Sequence, residues 1–118
     1  MFRTTLEEAA RRLPGCEAAA IVGRDGMVVE HWAAPGGPSP EVLAAELTPV
    51  VRSVEAMGRN AAGGDLREIL LRLSSWSCFV QPVSPDLFLI LLTGRDVLPG
   101  RIRFEASHAA ARLDPDLL

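Results

Sequence analysis

The chain contains no lysine; all twelve of its basic residues are arginine. A P-loop nucleotide site needs a lysine on the phosphates of its ligand, and the GxxxxGK[ST] spacing is missing as well. The protein is therefore not itself a P-loop GTPase or ATPase. Cysteine is scarce: Cys16 and Cys78 lie far apart and form no CxxC pair. Two thiols are too few for a tetrahedral zinc site, and they read as reduced, buried side chains of a cytosolic protein. Long apolar runs are missing too. The longest, Leu87 to Leu92, is too short to span a bilayer. The opening stretch MFRTTLEEAARRLPG is charged and lacks the apolar centre of a signal peptide. The expected location is the cytoplasm, without membrane insertion. Nor is there a clustered positive excess: the net charge is −3 with both signs interspersed, which argues against a nucleic-acid partner.

Catalytic chemistry is hard to find. His31 and His108 have no His, Cys or carboxylate at ligand spacing, and both read as surface histidines. The carboxylates are scattered, with no DxDxDG calcium loop and no acid–base pair that stands out. Ser74, Ser75 and Ser77 surround Trp76 without a GxSxG elbow, and no glycines form GxGxxG ahead of a helix. The expectation is a protein without catalytic, metal or cofactor residues, one that binds other proteins rather than an enzyme.

What is present is a core-forming sequence. With 118 residues, 48% of them hydrophobic, the chain fits one domain spanning 1–118 and needs no disulfide or metal staples. Thr4 or Thr5, each with a Glu three positions on, is placed to cap a first helix that Pro14-Gly15 stops near Leu13. Strands follow at Cys16 to Gly23 and Met27 to Ala33, joined by a hairpin turn at Asp25-Gly26. Ser39, Pro40 and Glu41 open a long helix reaching Asn60 or Ala62. Its stripe Leu43, Leu47, Val50, Val54 and Met57 is expected to face a sheet, with Pro49 kinking the helix or costing stability. Strand-like runs occupy Leu66 to Leu73, Trp76 to Val83 and Leu87 to Thr93. A last helix runs from near Asp96 to Leu113, burying Leu98, Ile102, Ala106, Ala109 and Leu113, and Asp114-Pro115 ends it.

The order α-β-β-α-β-β-β-α predicts an α+β fold. It implies a five-stranded antiparallel sheet with the long central helix on one face and the two terminal helices on the other.

The order of local sequences resembles a known family. Leu13-Pro14-Gly15 precedes a strand ending Ile21-Val22-Gly23, and Asp25-Gly26 turns into Val28-Val29-Glu30. Gly64-Asp65-Leu66-Arg67-Glu68-Ile69-Leu70-Leu71 comes later, and Leu87 to Thr93 is followed by Leu98-Pro99-Gly100-Arg101-Ile102-Arg103. Together they resemble the Roadblock/dynein light chain domain, in the bacterial branch that includes the gliding-motility GTPase regulators. The resemblance implies the same fold, and homodimers or heterodimers in which the central helices and third strands of two protomers meet. It implies binding to a small Ras-like GTPase, with some members activating GTP hydrolysis by rearranging the GTPase's own groups rather than by an arginine finger. Pro49 and Pro99 depart from the family pattern.

Two surfaces are therefore expected to matter. A flank of small residues on the central helix, Ala45, Pro49, Ser53, Ala56 and Asn60, would form a dimer seam together with Leu66, Glu68, Leu70 and Arg72 of the third strand. A long apolar edge strand ought to be paired or covered, and pairing it with its copy gives a ten-stranded sheet. A polar line, Thr48, Arg52, Glu55 and Arg59, is expected either to meet the GTPase or to be a solvated face with a local Arg52–Glu55 pair. The main alternative function is a dimeric scaffold with no effect on GTP hydrolysis; a small-molecule sensor is the third reading.

Overall fold

A computed structural model describes residues 2–113. The elements are α1 (Phe2–Arg12), β1 (Cys16–Gly23), β2 (Val28–Ala33), α2 (Pro40–Asn60), β3 (Ile69–Arg72), β4 (Trp76–Pro82), β5 (Leu87–Gly94) and α3 (Pro99–Leu113). The strands form one antiparallel sheet in the order β2-β1-β5-β4-β3. The central pair, β1 and β5, carries the least polar sequences, because both of their faces are covered.

Period-2 alternation sorts the strand side chains into two cores. Ala19, Ile21, Phe79, Leu89 and Leu91 pack with Leu6, Ile102, Ala106 and Leu113 under α1 and α3. Ala18, Ala20, Val22, Val80, Phe88 and Ile90 pack with Leu43, Ala44, Leu47 and Val51 of α2 on the other face. The expected α+β arrangement is the observed one.

The β1–β2 connection turns over three residues. Gly26 N–H donates to Gly23 O at 2.9 Å, Met27 N–H is held by Asp25 Oδ1 at 3.0 Å, and Gly26 takes φ +89°, which favours glycine. At the start of α2, the Ser39 hydroxyl accepts from Val42 N–H at 3.4 Å with Pro40 in the first turn. That is the cap the sequence predicts.

Several expectations need correction. The first helix begins at Phe2, so Thr4 and Thr5 lie inside it and neither caps it; Thr5 is buried. The last helix begins at Pro99, leaving Leu98 ahead of it and 68% exposed, while Glu105 and Ala110 join the buried stripe. The third strand is only Ile69–Arg72, with 66–68 as irregular backbone leading into it. α2 is rotated relative to its apolar pattern. It buries Leu43, Ala44, Leu47, Thr48 and Val51, whereas Val50 and Val54 are half-buried and Met57 is 62% exposed. Small Ala44 and Thr48 allow close approach to the sheet, a preference that a count of apolar residues does not register. α2 continues through Pro49; Pro49 and Ala45 are exposed, so water can serve the Ala45 carbonyl that the missing N–H leaves unbonded. The expected stop at Asp114-Pro115 lies outside the described residues.

Candidate functional site

The β3 edge can be oriented from its hydrogen bonds. Leu73 N–H donates to Trp76 O at 2.8 Å, continuing the register Leu71↔Cys78 and Arg72↔Ser77. Bonded and non-bonded pairs alternate in an antiparallel ladder. Leu71 therefore bonds to β4, and the backbone groups of Leu70 and Arg72 point outward from the sheet. Both are residues the sequence assigns to a seam.

Side chains divide at the same edge. Leu70 packs toward the α1–α3 face, and Ile69 and Leu71 toward the α2 face. α2 packs mainly across β2 and β1. Over β3 and β4 the same sheet face presents half-buried Ile69, Leu71 and Trp76, with Leu73 54% exposed just beyond. On the helical wheel Val50, Val54 and Met57 lie on one side of the buried stripe, and Glu55 and Arg59 on the other. The small-residue flank Ala45, Pro49, Ser53 and Asn60 is exposed and Ala56 half-buried, on the side of α2 away from the sheet. Leu66 is half-buried against the α2-side core. Glu68 is tied to α3: Arg103 donates to it through Nε at 3.0 Å and Nη2 at 2.8 Å, which holds the Glu68 carboxyl below its usual range. Glu68 thus helps dock α3 against the entry to β3. Sequence reasoning missed Val50, Val54 and Met57 as surface residues. It also missed the open apolar group Ile69, Leu71, Leu73 and Trp76, for which the alternating pattern of the third and fourth strands was the available signal.

The polar line on α2 is largely folded back on the β1–β2 turn. Thr48 is only 5% exposed; its hydroxyl donates to Ala44 O at 2.7 Å, and it lies beneath Gly26. It does not belong to an exposed ridge, because a small β-branched side chain can satisfy its hydroxyl within the helix and go inward. Arg52 Nη2 donates to Arg24 O at 2.7 Å, and Glu55 pairs with Arg24 rather than with Arg52. Arg24 is thus the residue that organises this corner, and nothing in its local sequence marks it. Arg59 is exposed and lines a cleft of about 420 Å³ with Arg24, Glu55, Asp65, Leu66, Pro82, Ser84 and Pro85.

Among the described residues, no three His, Cys, Asp or Glu side chains are grouped to hold a metal ion, and no helix is long and apolar enough to cross a membrane. His31 lies 3.8 Å from Glu41, and His108 Nε2 lies 3.4 Å from Arg12 Nη1. The two free thiols lie in the two different cores. Burial pushes Cys16 up to about 11 and Cys78 up to about 12, from an ordinary 9.0. A raised folded-state value means the unfolded chain ionises first. The thiol contribution to stability is therefore complete below about pH 9 and is lost as pH rises through 11 and 12. Native protein at pH 8 is expected to resist iodoacetamide at both cysteines, whereas urea-unfolded protein takes up two adducts by mass spectrometry.

The Roadblock/LC7 domain family model matches residues 3–93. No curated protein sequence matches the chain significantly. Among solved structures, a Roadblock/LC7 domain from Streptomyces avermitilis superposes with TM-score 0.87 at 22% identity, covering 98% of this chain and 96% of that one. The gliding protein MglB from Thermus thermophilus gives 0.84 at 19% identity, covering 98% and 89%. Myxococcus xanthus MglB gives 0.87 at 10% identity, covering 98% and 93%.

Proposed function

The chain belongs to the Roadblock/LC7 domain family, and from that premise we propose that it is a non-catalytic, dimeric, cytoplasmic regulator of a small Ras-like GTPase. The observation that carries the reading is the β3 edge. Two outward-facing residues, Leu70 and Arg72, stand beside an apolar sheet face that α2 does not cover. Pairing β3 with its copy, or with a paralogous Roadblock-like chain, satisfies those backbone groups and buries Ile69, Leu71 and Trp76 in one step. The seam therefore draws on Val50, Val54 and Met57 as well as on the small-residue flank Ala45, Pro49, Ser53, Ala56 and Asn60.

The GTPase contact is assigned to the corner built by Arg24, Arg52, Glu55 and Arg59. Arg24 and Glu55 neutralise each other, and Arg52 is anchored on the hairpin carbonyl. Arg59 stands exposed at the mouth of the cleft, where it can meet an acidic partner group. Arg59→Glu is expected to weaken GTPase binding at least about tenfold with the fold and dimer intact, because a like charge replaces a complementary one. Titration calorimetry against a bacterial Ras-like GTPase, with circular dichroism as control, checks it. Multiple-turnover GTP hydrolysis with and without the chain separates the regulator from the scaffold. An accelerated or slowed rate supports regulation, and binding with an unchanged rate assigns the chain to scaffolding.

A further inference from the structure

The sheet has a second edge, β2. Beyond its end, Ala34 N–H donates to Glu17 O at 2.9 Å, and the register pairs Ala18 with Ala33 and Ala20 with His31. That phase makes Ala20↔His31 a non-hydrogen-bonded pair, so both backbone groups of His31 point off the sheet. Both are already engaged. Glu30 Oε1 accepts from His31 N–H at 3.1 Å, and Arg3 Nη1 donates to His31 O at 3.4 Å and to Glu30 Oε1 at 3.2 Å. One ion pair, with a partner from α1 and a partner from the strand itself, thus occupies the donor and the acceptor at the centre of the edge. Below it, the register passes from Ile21↔Glu30 to Val22↔Val28, so Val29 is the extra residue of a bulge. Above it the chain leaves through Pro35 and Pro38. His31 is the position at which an incoming strand would have to register.

We propose that the β2 edge is a latent pairing surface for a second copy of this chain, held shut by the Arg3–Glu30 pair. The choice of occupant rests on the dimer reading above. Joining two β3 strands leaves identical β2 edges at the two ends of the ten-stranded sheet, and an edge is complementary to its own copy about a two-fold axis. The cap works by occupying hydrogen-bonding groups, not by adding stability; Arg3 is 58% exposed, and so solvated a pair contributes little.

Arg3→Ala and Glu30→Ala test this on the full chain, with light-scattering mass measured from micromolar to several hundred micromolar. The expected result is a melting temperature within about 2 °C of the parent and a mass that at least doubles at concentrations where the parent's does not. The double variant Arg3→Glu/Glu30→Arg keeps the charges but turns a carboxylate toward the carbonyl and a guanidinium toward the N–H. It should associate like the single variants. Adding Ala33→Pro to Arg3→Ala removes another outward N–H without touching the β1 ladder and should restore the parent mass. Parent-like mass in both single variants overturns the proposal. So does parent-like mass in the charge-swapped variant, or high mass that survives Ala33→Pro. A parent that is monomeric throughout would defeat the dimer reading instead, since the cap is read only from the ratio of variant to parent mass.

Discussion

Arg72→Pro is expected to leave the protomer folded and to weaken self-association by at least about thirtyfold. The reason is positional. The Arg72 N–H points away from β4, so proline removes no bond of the internal ladder. The side chain is exposed and donates a hydrogen bond from Nη2 to Arg95 O at 3.1 Å. In a β3–β3 pairing, each protomer would lose a donor and leave the opposing carbonyl unpaired. That costs roughly 1–3 kcal/mol per site, and the two-fold axis makes two such sites. Sedimentation equilibrium checks it against Leu71→Pro. Leu71 bonds inward to β4, so its replacement should damage the fold itself. A dimer that withstands Arg72→Pro would move the interface away from the β3 edge.

The second large effect concerns Gly58, in the last turn of α2. In an exposed helix, alanine is favoured over glycine by about 1 kcal/mol. At this position the sign should reverse, because a Cβ on Gly58 would collide with the backbone carbonyl of Gly64, and Gly63 N–H donates to Gly58 O at 2.8 Å. The chain leaving α2 folds back onto the helix here, and that return sets Leu66 against the α2-side core and shapes the cleft beside Arg59. Gly58→Ala is expected to cost about 2 kcal/mol, or about 8 °C in melting temperature. Gly100→Ala is the control. That site lies in α3 with open space around a Cβ, so alanine there should be neutral or stabilising by up to about 1 kcal/mol. Thermal melts of the two variants in parallel decide the matter, and an unchanged Gly58→Ala would mean that the return loop is not held as described.

Most of the fold was legible in the sequence wherever local chemistry leaves little choice. Asp25-Gly26 needs a turn, Ser39-Pro40 needs a helix start, and unbroken apolarity from Leu87 to Leu92 needs a strand with two covered faces. The failures share a cause: each depended on what lies opposite in space. α2 is rotated because Ala44 and Thr48 let it approach the β1–β2 hairpin, and helical periodicity weighs apolarity rather than closeness of fit. Thr4 and Thr5 looked like caps, but the helix begins ahead of them. The third strand is shorter than its apolar run because Leu66 serves the α2-side core and Glu68 serves α3. Of the candidate site, the place of Leu70 and Arg72 on the third strand was legible, but the outward direction of their backbone groups came only from the Leu73–Trp76 hydrogen bond. Arg24 was not, since its importance comes from two α2 side chains that reach it from far along the chain.

The proposed regulatory function turns on the chain's binding a GTPase. The direct measurement is titration of the wild-type chain against a bacterial Ras-like GTPase, loaded in turn with GDP and with a non-hydrolysable GTP analogue. The expected result is saturable binding to at least one nucleotide state, with two copies of this chain in the complex. No binding to either state, at concentrations where the chain is dimeric, would contradict it.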